Sequence, residues 1–487
     1  MYFMPNQSES FSFKSICAVI DSVEVDFLSC LKTVLALEGR TSIADVGQNV
    51  VDFQPKLFDA IARLDRKYRA IIQEEKRLVS RKKHLNRSWF KRRMRDLANY
   101  RKALREAILV GKSIGDGFAW FFYERDRDLI TEHLKHDFHP LLPPGDGRIG
   151  ERKCLDVFRY MDGHFQLYHG ITTFLRLGDC SFVNLKTMRI SAIGEVKTKR
   201  TGEETLASSL SLVFAKDESL PNFNSTAPNK TVKPEKFDQK IEQRRKRQVK
   251  QMAEAVSGAN SLQPENKVDS SDMEFSFMAV EEAVKECKIR HFSAKKVSGG
   301  MMVCAFRLRR KNKLSSALVS QSNDASVDEF GDFPKEAIKI MVQDRKDNSL
   351  RVGSIGFAKE NLINRSDRLP FALWPLSGKT IVDVMLGSVF VVILFNPLPF
   401  KIALEKRGYD VEVAKDYLPI SATKTFNDRQ VGIENLSYFF DLILYGGMNE
   451  NDVLRLIDQS LELAWDQADG RNFKMHIVPQ IIKHRDG

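Results

Sequence analysis

The chain has 487 residues, of which 43% are hydrophobic and 29% charged, and its formal net charge is +12. This composition is typical of a globular protein of about three domains and excludes a fibrous or largely disordered chain. The basic excess favours a polyanionic partner, such as nucleic acid or an acidic membrane surface. Six cysteines without a CxxC pair argue against a zinc ribbon or a disulfide framework, and the first residues lack the pattern of a secretory signal, so we expect a cytoplasmic protein.

Two long helices are predicted first along the chain. Apolar residues recur at helical spacing from Phe53 to Val110, in two series separated by residues 84 to 88, which predicts a helical hairpin. Between Lys56 and Glu106 the segment holds 18 Lys or Arg and 6 Asp or Glu. Such an imbalance is compatible with a solvated face or with an arm that contacts phosphates. The candidate nucleic-acid-binding residues are Arg81, Lys82, Lys83, Arg87, Lys91, Arg92, Arg93 and Arg95.

Polar segments divide the rest of the chain. Residues 217 to 234 read as a loop or insertion before a basic helix at 235 to 256, and residues 257 to 272 read as a linker. The predicted domains are therefore 1 to 112, basic and helical; 113 to 256, central; and 273 to 487, α+β and of unknown role. In the last domain we predict helices at 278 to 288 and 450 to 467 and strands at 300 to 310 and 381 to 395. The apolar run at 384 to 395 is too short to span a membrane and indicates a buried strand.

A β-hairpin over residues 177 to 200 brings charged residues together. With a turn centred on Thr187, facing residues have numbers that sum to 374, which pairs Asp179 with Glu195. Lys197 lies on the face of Glu195 because side chains alternate along a strand. Ile190, Ala192 and Val196 are assigned to the opposite, buried face. The same alternation places one apolar residue, Ile193, on the face of the charged residues.

Two facing carboxylates repel each other unless a cation lies between them or one is protonated. Hard oxygen ligands suit Mg²⁺ or Mn²⁺, which retain waters and bridge to phosphate groups. A lysine beside such a cation would assist an attacking water or stabilise charge at phosphorus. Asp179, Glu195 and Lys197 therefore predict a site for phosphodiester hydrolysis.

The segments "GD" at 178 to 179 and "EVK" at 195 to 197, with a helix before and a basic helix after, resemble the restriction-endonuclease-like PD-(D/E)xK nucleases. This resemblance covers roughly residues 113 to 256 and implies an α/β core in which Asp179 and Glu195 bind divalent metal and Lys197 assists the nucleophile. Gly178 stands where the family usually has proline. Many members add an acid from an earlier helix, for which Glu124 is preferred over Asp116 and Glu132, and a glutamine from the later helix, here Gln248 or Gln243.

Other motifs are weaker. The GKS and GKT triplets at 111 and 378 lack the earlier glycine of a phosphate-binding loop, which argues against an NTPase. His133, His136 and His139 do not repeat on one helical face, so a zinc site is disfavoured.

The predicted activity is Mg²⁺- or Mn²⁺-dependent endonuclease, acting on DNA more readily than on RNA, with a role in defence against phage or foreign DNA by analogy of architecture. A homodimer or a protein partner bound through the N- or C-terminal domain would fit this activity. The alternatives are a nuclease-like nucleic-acid-binding scaffold without activity and a protein-interaction module built on the helical hairpin.

Overall fold

The computed structural model describes residues 11–37, 48–157, 160–161, 163–200, 206–214, 239–261, 275–307, 314–315, 318, 350–355, 363–365, 368–414, 418–426, 429–433 and 435–467. Within these ranges the chain forms eleven α-helices and three antiparallel sheets, which confirms the mixed α+β class. The chain divides into two compact units, Met1–Gln263 with Leu362–Ser366, and Pro264–Asn361 with Asp367–Gly487.

Three long helices begin the first unit: α1 (Phe13–Leu37), α2 (Gln48–Ser80) and α3 (Arg87–Tyr123). The predicted hairpin is confirmed, since α2 and α3 pack together and only a short 3-10 turn at Lys82–His84 separates them. The Asn86 side chain begins α3 by accepting hydrogen bonds from the backbone N–H groups of Ser88 (3.0 Å) and Trp89 (3.1 Å). The predicted domain boundary between residues 112 and 113 falls inside α3, which continues unbroken through it.

Two shorter helices precede the sheet of the first unit and one helix follows it. They are α4 (Arg127–Leu134), α5 (Asp146–Val157) and α6 (Gln239–Ser261). The sheet is an antiparallel meander in the order β1-β2-β3-β4-β5, with strands β1 (Tyr160–Met161), β2 (His164–Tyr168), β3 (Cys180–Asn184), β4 (Arg189–Arg200) and β5 (Leu206–Phe214). The predicted helix at 235 to 256 corresponds to α6, whereas the predicted loop at 217 to 234 lies outside the described residues.

The helices hold the sheet through an aromatic core and one polar bridge. Phe53 of α2 stacks on Phe118 of α3, with ring centroids 3.9 Å apart, and Phe118 packs edge-on against Phe165 of β2. The Gln54 side chain donates to the carbonyl of Gln166 (2.6 Å) and accepts from the N–H of Tyr168 (2.7 Å). Because buried backbone groups need partners, this amide fixes β2 against α2.

The second unit begins with α7 (Phe277–Arg290) and contains two sheets. The first has the order β6-β7-β9-β8, from β6 (Phe292–Lys296), β7 (Met301–Arg307), β8 (Arg351–Ile355) and β9 (Val389–Phe395), and the second has the order β10-β11-β12, from β10 (Asp410–Val413), β11 (Pro419–Phe426) and β12 (Arg429–Ile433). The remaining helices are α8 (Gly378–Met385), α9 (Pro397–Lys406), α10 (Ser437–Gly446) and α11 (Glu450–Gln467). The helices predicted at 278 to 288 and 450 to 467 are confirmed as α7 and α11.

The predicted strand over residues 381 to 395 is wrong in its first half. The Ser377 hydroxyl caps the start of α8 by accepting from the N–H of Thr380 (3.3 Å), so the apolar residues up to Met385 are helical. Gly387, at a φ of 75°, turns the chain into β9. Of the predicted linker at 257 to 272, residues up to Ser261 belong to α6, and the others lie outside the described residues. No described helix has both the length and the apolar character needed to cross a membrane.

Candidate active site

The β3–β4 hairpin has the predicted register at the end next to Asp179 and Glu195, but its turn lies at a different position from the one predicted. Cys180 pairs with Gly194 and Phe182 pairs with Ala192, so their numbers sum to 374 as predicted. At the turn end Asn184 pairs with Arg189, which places the turn one half-residue earlier than Thr187. A bulge at Ser191, held by a hydrogen bond from its hydroxyl to a backbone carbonyl (2.9 Å), adds the missing residue and restores the register.

Asp179 lies immediately before β3, beside the backbone that carries Glu195. Its N–H donates to the carbonyl of Gly194 (2.8 Å), and its carboxylate Oδ2 accepts from the N–H of Val196 (2.7 Å). The carboxylate thus takes the place of a backbone carbonyl and continues the hydrogen bonds between the two strands beyond the first residue of β3. Asp179 and Glu195 are thereby brought to the same end of the hairpin.

Gly178 explains why this chain lacks the proline of the resembling family. Its φ is 71°, in the left-handed region, and a Cβ there would lie 2.8 Å from the carbonyl oxygen of Gly194 and 3.1 Å from Sδ of Met252. Proline is fixed near a φ of −65° and could not adopt this conformation. The glycine allows Asp179 to approach β4 closely.

Glu195 and Lys197 occupy one face of β4 and form an ion pair. The Glu195 side chain is almost fully buried, at 3% exposure, whereas that of Lys197 is 21% exposed. The residues opposite them on β5 are Ser211 and Ser209. Asp179 is half-buried. Solvent therefore reaches this polar row from the side of Asp179 and Lys197.

A third carboxylate, that of Glu151 on α5, lies beside the ion pair of Glu195 and Lys197. It is 7% exposed and accepts a hydrogen bond from the Tyr168 hydroxyl at Oε2. Burial raises the pKa of Glu151 well above its usual value, and the negative charges of Asp179 and Glu195 raise it further, while the Tyr168 bond and the Lys197 charge oppose them. Three carboxylates and one ammonium therefore share a poorly solvated space.

Close packing of α5 on β4 delivers Glu151 to the site. Gly150 lies against Thr198, such that a Cβ on residue 150 would overlap the threonine side chain, with its Cβ only 2.6 Å away. On the same helix face, Cys154 joins a buried cluster of β3 and β4 residues that includes Ala192 and Val196, as the sequence assigned them. The sequence signal that could have identified Glu151 is its position one helical turn before Cys154, the residue that makes this apolar contact.

The earlier candidates for the additional acid lie elsewhere. Glu124 is exposed at the C-terminal end of α3, whereas Glu151 is the acid that interacts with the charges of Asp179 and Glu195. Asp116 is buried and accepts hydrogen bonds from the N–H and hydroxyl of Thr173 (both 2.6 Å), while burial raises its pKa to about 7. Glu132 pairs with Lys135 on α4 (2.5 Å). Asp116 thus fixes the segment between β2 and β3.

A buried chain of hydrogen bonds supports the backbone of residues 178 and 179. His133 accepts a backbone N–H at Nδ1 (3.1 Å), so its Nε2 carries the proton and faces the Tyr123 hydroxyl (3.1 Å). Tyr123 then donates to Ser181 (2.6 Å), and Ser181 donates to Nε2 of His169 (2.6 Å). The other ring nitrogen of His169 donates to the carbonyl of Gly178 (3.1 Å), and its backbone N–H donates to the carbonyl of Asp179 (3.0 Å).

Burial keeps both histidines of this chain neutral. It lowers the pKa of His169 to about 4 and that of His133 well below its usual value. His136 and His139 lie outside this network, with His139 exposed. Of the three histidines for which the sequence disfavours a zinc site, His133 therefore has a structural role.

Of the two glutamine candidates, Gln243 is exposed and Gln248 is the one that faces the protein. The side-chain oxygen of Gln248 is buried and has no hydrogen-bond partner among the described residues. Gln248 precedes Met252 by one helical turn, and Met252 contacts the segment around Gly178. The hydroxyl of Ser209, opposite Lys197 on β5, is also buried without a described partner.

The donor set fits a hard divalent cation held mainly by water. Across the described ranges, no three His, Cys, Asp or Glu side chains are arranged to hold one metal ion. Mg²⁺, however, commonly takes one or two carboxylates and completes its coordination with water and substrate phosphate. Asp179 and Glu195 provide two carboxylates, and their negative charges add to the effect of burial in raising the pKa of Glu151.

The predicted nucleic-acid-binding residues lie at the tip of the α2–α3 hairpin. Seven of the eight are exposed, and Arg93 is partly buried, donating to the carbonyl of Phe11 (3.1 Å). From Val79 to Arg92 no residue is buried. The hairpin tip, defined as residues 79 to 95, therefore projects into solvent as a basic surface.

Comparisons of the chain with protein-family models, curated proteins and solved structures each find no match.

Proposed function

We propose that the chain is a divalent-metal-dependent nuclease whose active site comprises Glu151, Asp179, Glu195 and Lys197. The observation that carries the proposal is the burial of Glu151 beside the charges of Asp179 and Glu195, next to Lys197. Like charges in a poorly solvated space are unfavourable, and protein folds tolerate them mainly where chemistry needs them. A purely structural cluster would be expected to balance its charges.

Each residue has a distinct role in this proposal. Asp179 and Glu195 would hold Mg²⁺ or Mn²⁺, which supplies positive charge to a bound phosphodiester. Lys197, at the solvent-accessible end of the row, would orient the attacking water and stabilise the charge that develops on phosphorus. Glu151 would ionise when a cation offsets its neighbours. Gln248 provides an unused amide oxygen on the adjacent helix.

The hairpin tip would hold the substrate backbone. Its cations contact phosphates without reading base sequence, so binding should weaken steeply as salt is raised. DNA is the preferred substrate in this proposal, and RNA is included in its test.

Cleavage of plasmid, single-stranded DNA and RNA in Mg²⁺, Mn²⁺ or EDTA tests the proposal. We expect metal-dependent cleavage by the wild type and at least a roughly 100-fold loss of kcat, on the order seen for essential catalytic groups, in Asp179→Ala, Lys197→Ala and Glu151→Gln. Glu124→Gln is the matched control, because it neutralises an exposed glutamate of the same unit, and it should retain wild-type activity.

Equal degradation by all variants would identify a contaminating nuclease and refute the proposal. Salt-sensitive binding without cleavage in any metal would instead favour the inactive nucleic-acid-binding scaffold. Loss of activity in Glu124→Gln with retention in Glu151→Gln would reverse the assignment of the third acid.

A further inference from the structure

An exposed tryptophan lies at the centre of the hairpin tip. Trp89, in the first turn of α3, is 45% exposed, whereas Trp120 and Trp374 are 2% and 1% exposed. A large aromatic surface left in water is unfavourable, and burying it on a partner recovers that free energy. Trp89 is thus available for a contact with a partner molecule.

The backbone that presents Trp89 is well fixed. The Asn86 cap accepts the N–H of Trp89 at 3.1 Å, which secures the first turn of α3. Its neighbour Phe90 is half-buried and lies under Lys82, whose ammonium is 5.9 Å from the ring centroid. The first turn of α3, which carries Trp89, is therefore fixed and not frayed.

The sequence around Trp89 is rich in cations. From Lys76 to Arg95 the sequence contains ten Lys or Arg residues and no Asp or Glu. On α3, exposed Arg92 follows Trp89 by three residues and so lies on the same helical face, whereas Arg93 donates to the carbonyl of Phe11. Sites that bind unpaired nucleotides combine an exposed aromatic ring with basic side chains. Every base can stack on the ring, while the basic side chains neutralise the phosphates.

The surface fits an anionic membrane less well. Helices that bind at a membrane interface present a broad apolar face beside their basic residues. On the hairpin tip, Val79 and Trp89 are the exposed large hydrophobic residues, and Leu85 and Phe90 are half-buried. Two separated apolar side chains do not form such a face.

We propose that the hairpin tip is a binding site for single-stranded nucleic acid in which Trp89 stacks on a base. The inference specifies the substrate of the proposed nuclease as strands with unpaired segments, and in that sense it rests on the proposed function. Binding is measured separately from cleavage, so each proposal can fail without the other.

Anisotropy titrations in EDTA with a labelled single strand of about 20 nucleotides and the matching duplex test this site. Trp89→Ala should weaken single-strand binding by about 5- to 100-fold, the range expected for one base–aromatic stack, and change duplex binding little. Trp89→Phe should retain most of the affinity, which excludes misfolding as the cause. Met278→Ala, at an exposed position of the second unit, is the matched control and should have no effect.

Two further measurements separate stacking from charge. Single-stranded DNA should quench a component of tryptophan emission that is missing in Trp89→Phe. The double variant Lys82→Ala with Lys83→Ala should lower the slope of log affinity against log salt by roughly 0.7 for each phosphate that it no longer neutralises, whereas Trp89→Ala should leave the slope unchanged.

Unchanged single-strand binding in Trp89→Ala, or an equal loss for single strand and duplex, would overturn the stacking role. Binding to vesicles of phosphatidylserine and phosphatidylcholine that depends on Trp89, without an effect on nucleic acid, would overturn it in favour of a membrane. Trp89-dependent binding by a protein that cleaves nothing would retain this inference and remove the proposed nuclease activity.

Discussion

Glu151 is held where its ionised form is disfavoured, first because its side chain is buried and then because it lies beside two other carboxylates. Its Oε2 accepts the Tyr168 hydroxyl, yet burial and the charges of Asp179 and Glu195 outweigh that bond and raise its pKa. Such surroundings favour the protonated form of the carboxyl group, and a nearby positive charge would favour the ionised form. The stability of the free protein and its proposed affinity for a cation are therefore linked at this residue.

Asp179→Asn should raise the thermal midpoint in EDTA at pH 7. The asparagine can still accept the N–H of Val196, so the substitution removes charge while keeping the hydrogen bond. A raised folded-state pKa of Glu151 means that its contribution to stability is full below about pH 4.5 and is lost as pH rises through the folded value. Removing the Asp179 charge lowers that folded value, so the variant should be more stable than the wild type above about pH 4.5.

In Mg²⁺ the wild type should have the higher thermal midpoint, because the cation would stabilise the wild type and not Asp179→Asn. Asp146→Asn is the control, because it removes the charge of a partly exposed carboxylate that pairs with Arg200 (2.5 Å), and it should not raise the thermal midpoint. If Asp179→Asn were less stable than the wild type in EDTA at pH 7, this electrostatic explanation would be contradicted.

Sequence reasoning reached three of these four charged residues because they lie on a hairpin. Strand alternation and a sum rule are enough to predict that Asp179, Glu195 and Lys197 converge. Glu151 comes from a helix, and its position depends on tertiary packing that no local period encodes. The left-handed conformation of Gly178 was likewise visible only in the structure, although it accounts for the absence of proline.

At the level of elements, helices were predicted more completely than strands. The hairpin of α2 and α3 follows from a long apolar repeat, and α11 agrees at both ends with its predicted range. The predicted register of β3 and β4 depended on two compensating features, an earlier turn and the bulge at Ser191. The run at 381 to 395 was misassigned because buried helices and buried strands are both apolar, and a serine cap and a glycine decided between them.

The packing of α5 on β4 is a testable element of the site. Gly150→Ala would place a methyl group against the side chain of Thr198, and overpacking of this kind typically costs about 1–3 kcal/mol. Displacement of α5 would also move Glu151, so cleavage should fall as well as stability. Circular dichroism melts and cleavage rates measure the two effects.

Gly147→Ala on the same helix is the matched control. Its added Cβ would meet Pro143 at 3.5 Å, an ordinary contact, and alanine favours helix by up to about 1 kcal/mol relative to glycine. This variant should be at least as stable as the wild type and fully active. Equal destabilisation of both variants would show that the glycines act through backbone conformation and not through the approach to Thr198.

For the whole first unit, α3 joins the hairpin tip to the proposed active site. The helix carries Trp89 in its first turn and Asp116, which fixes the segment leading to Asp179, 27 residues later. At 1.5 Å per residue this separation is about 40 Å. Along a strand whose bases are stacked with a rise of about 3.4 Å, the same distance corresponds to about 12 nucleotides, and an unstacked strand spans it with fewer. Both sites can therefore act on one strand only if that strand is long enough.

Substrate length should accordingly determine whether the tip matters for cleavage. With a single strand of about 30 nucleotides, Trp89→Ala should raise KM by about 5- to 100-fold, the range of one base–aromatic stack, and leave kcat unchanged. With a strand of about 4 nucleotides bound in the active site, the same variant should have the KM of the wild type, because a strand of that length is too short to reach Trp89 even when its bases are unstacked. Lys197→Ala should instead lower kcat for both lengths. An equal change in KM for the short and long strands would place the contact of Trp89 near the cleaved bond and contradict a binding site about 40 Å away along α3.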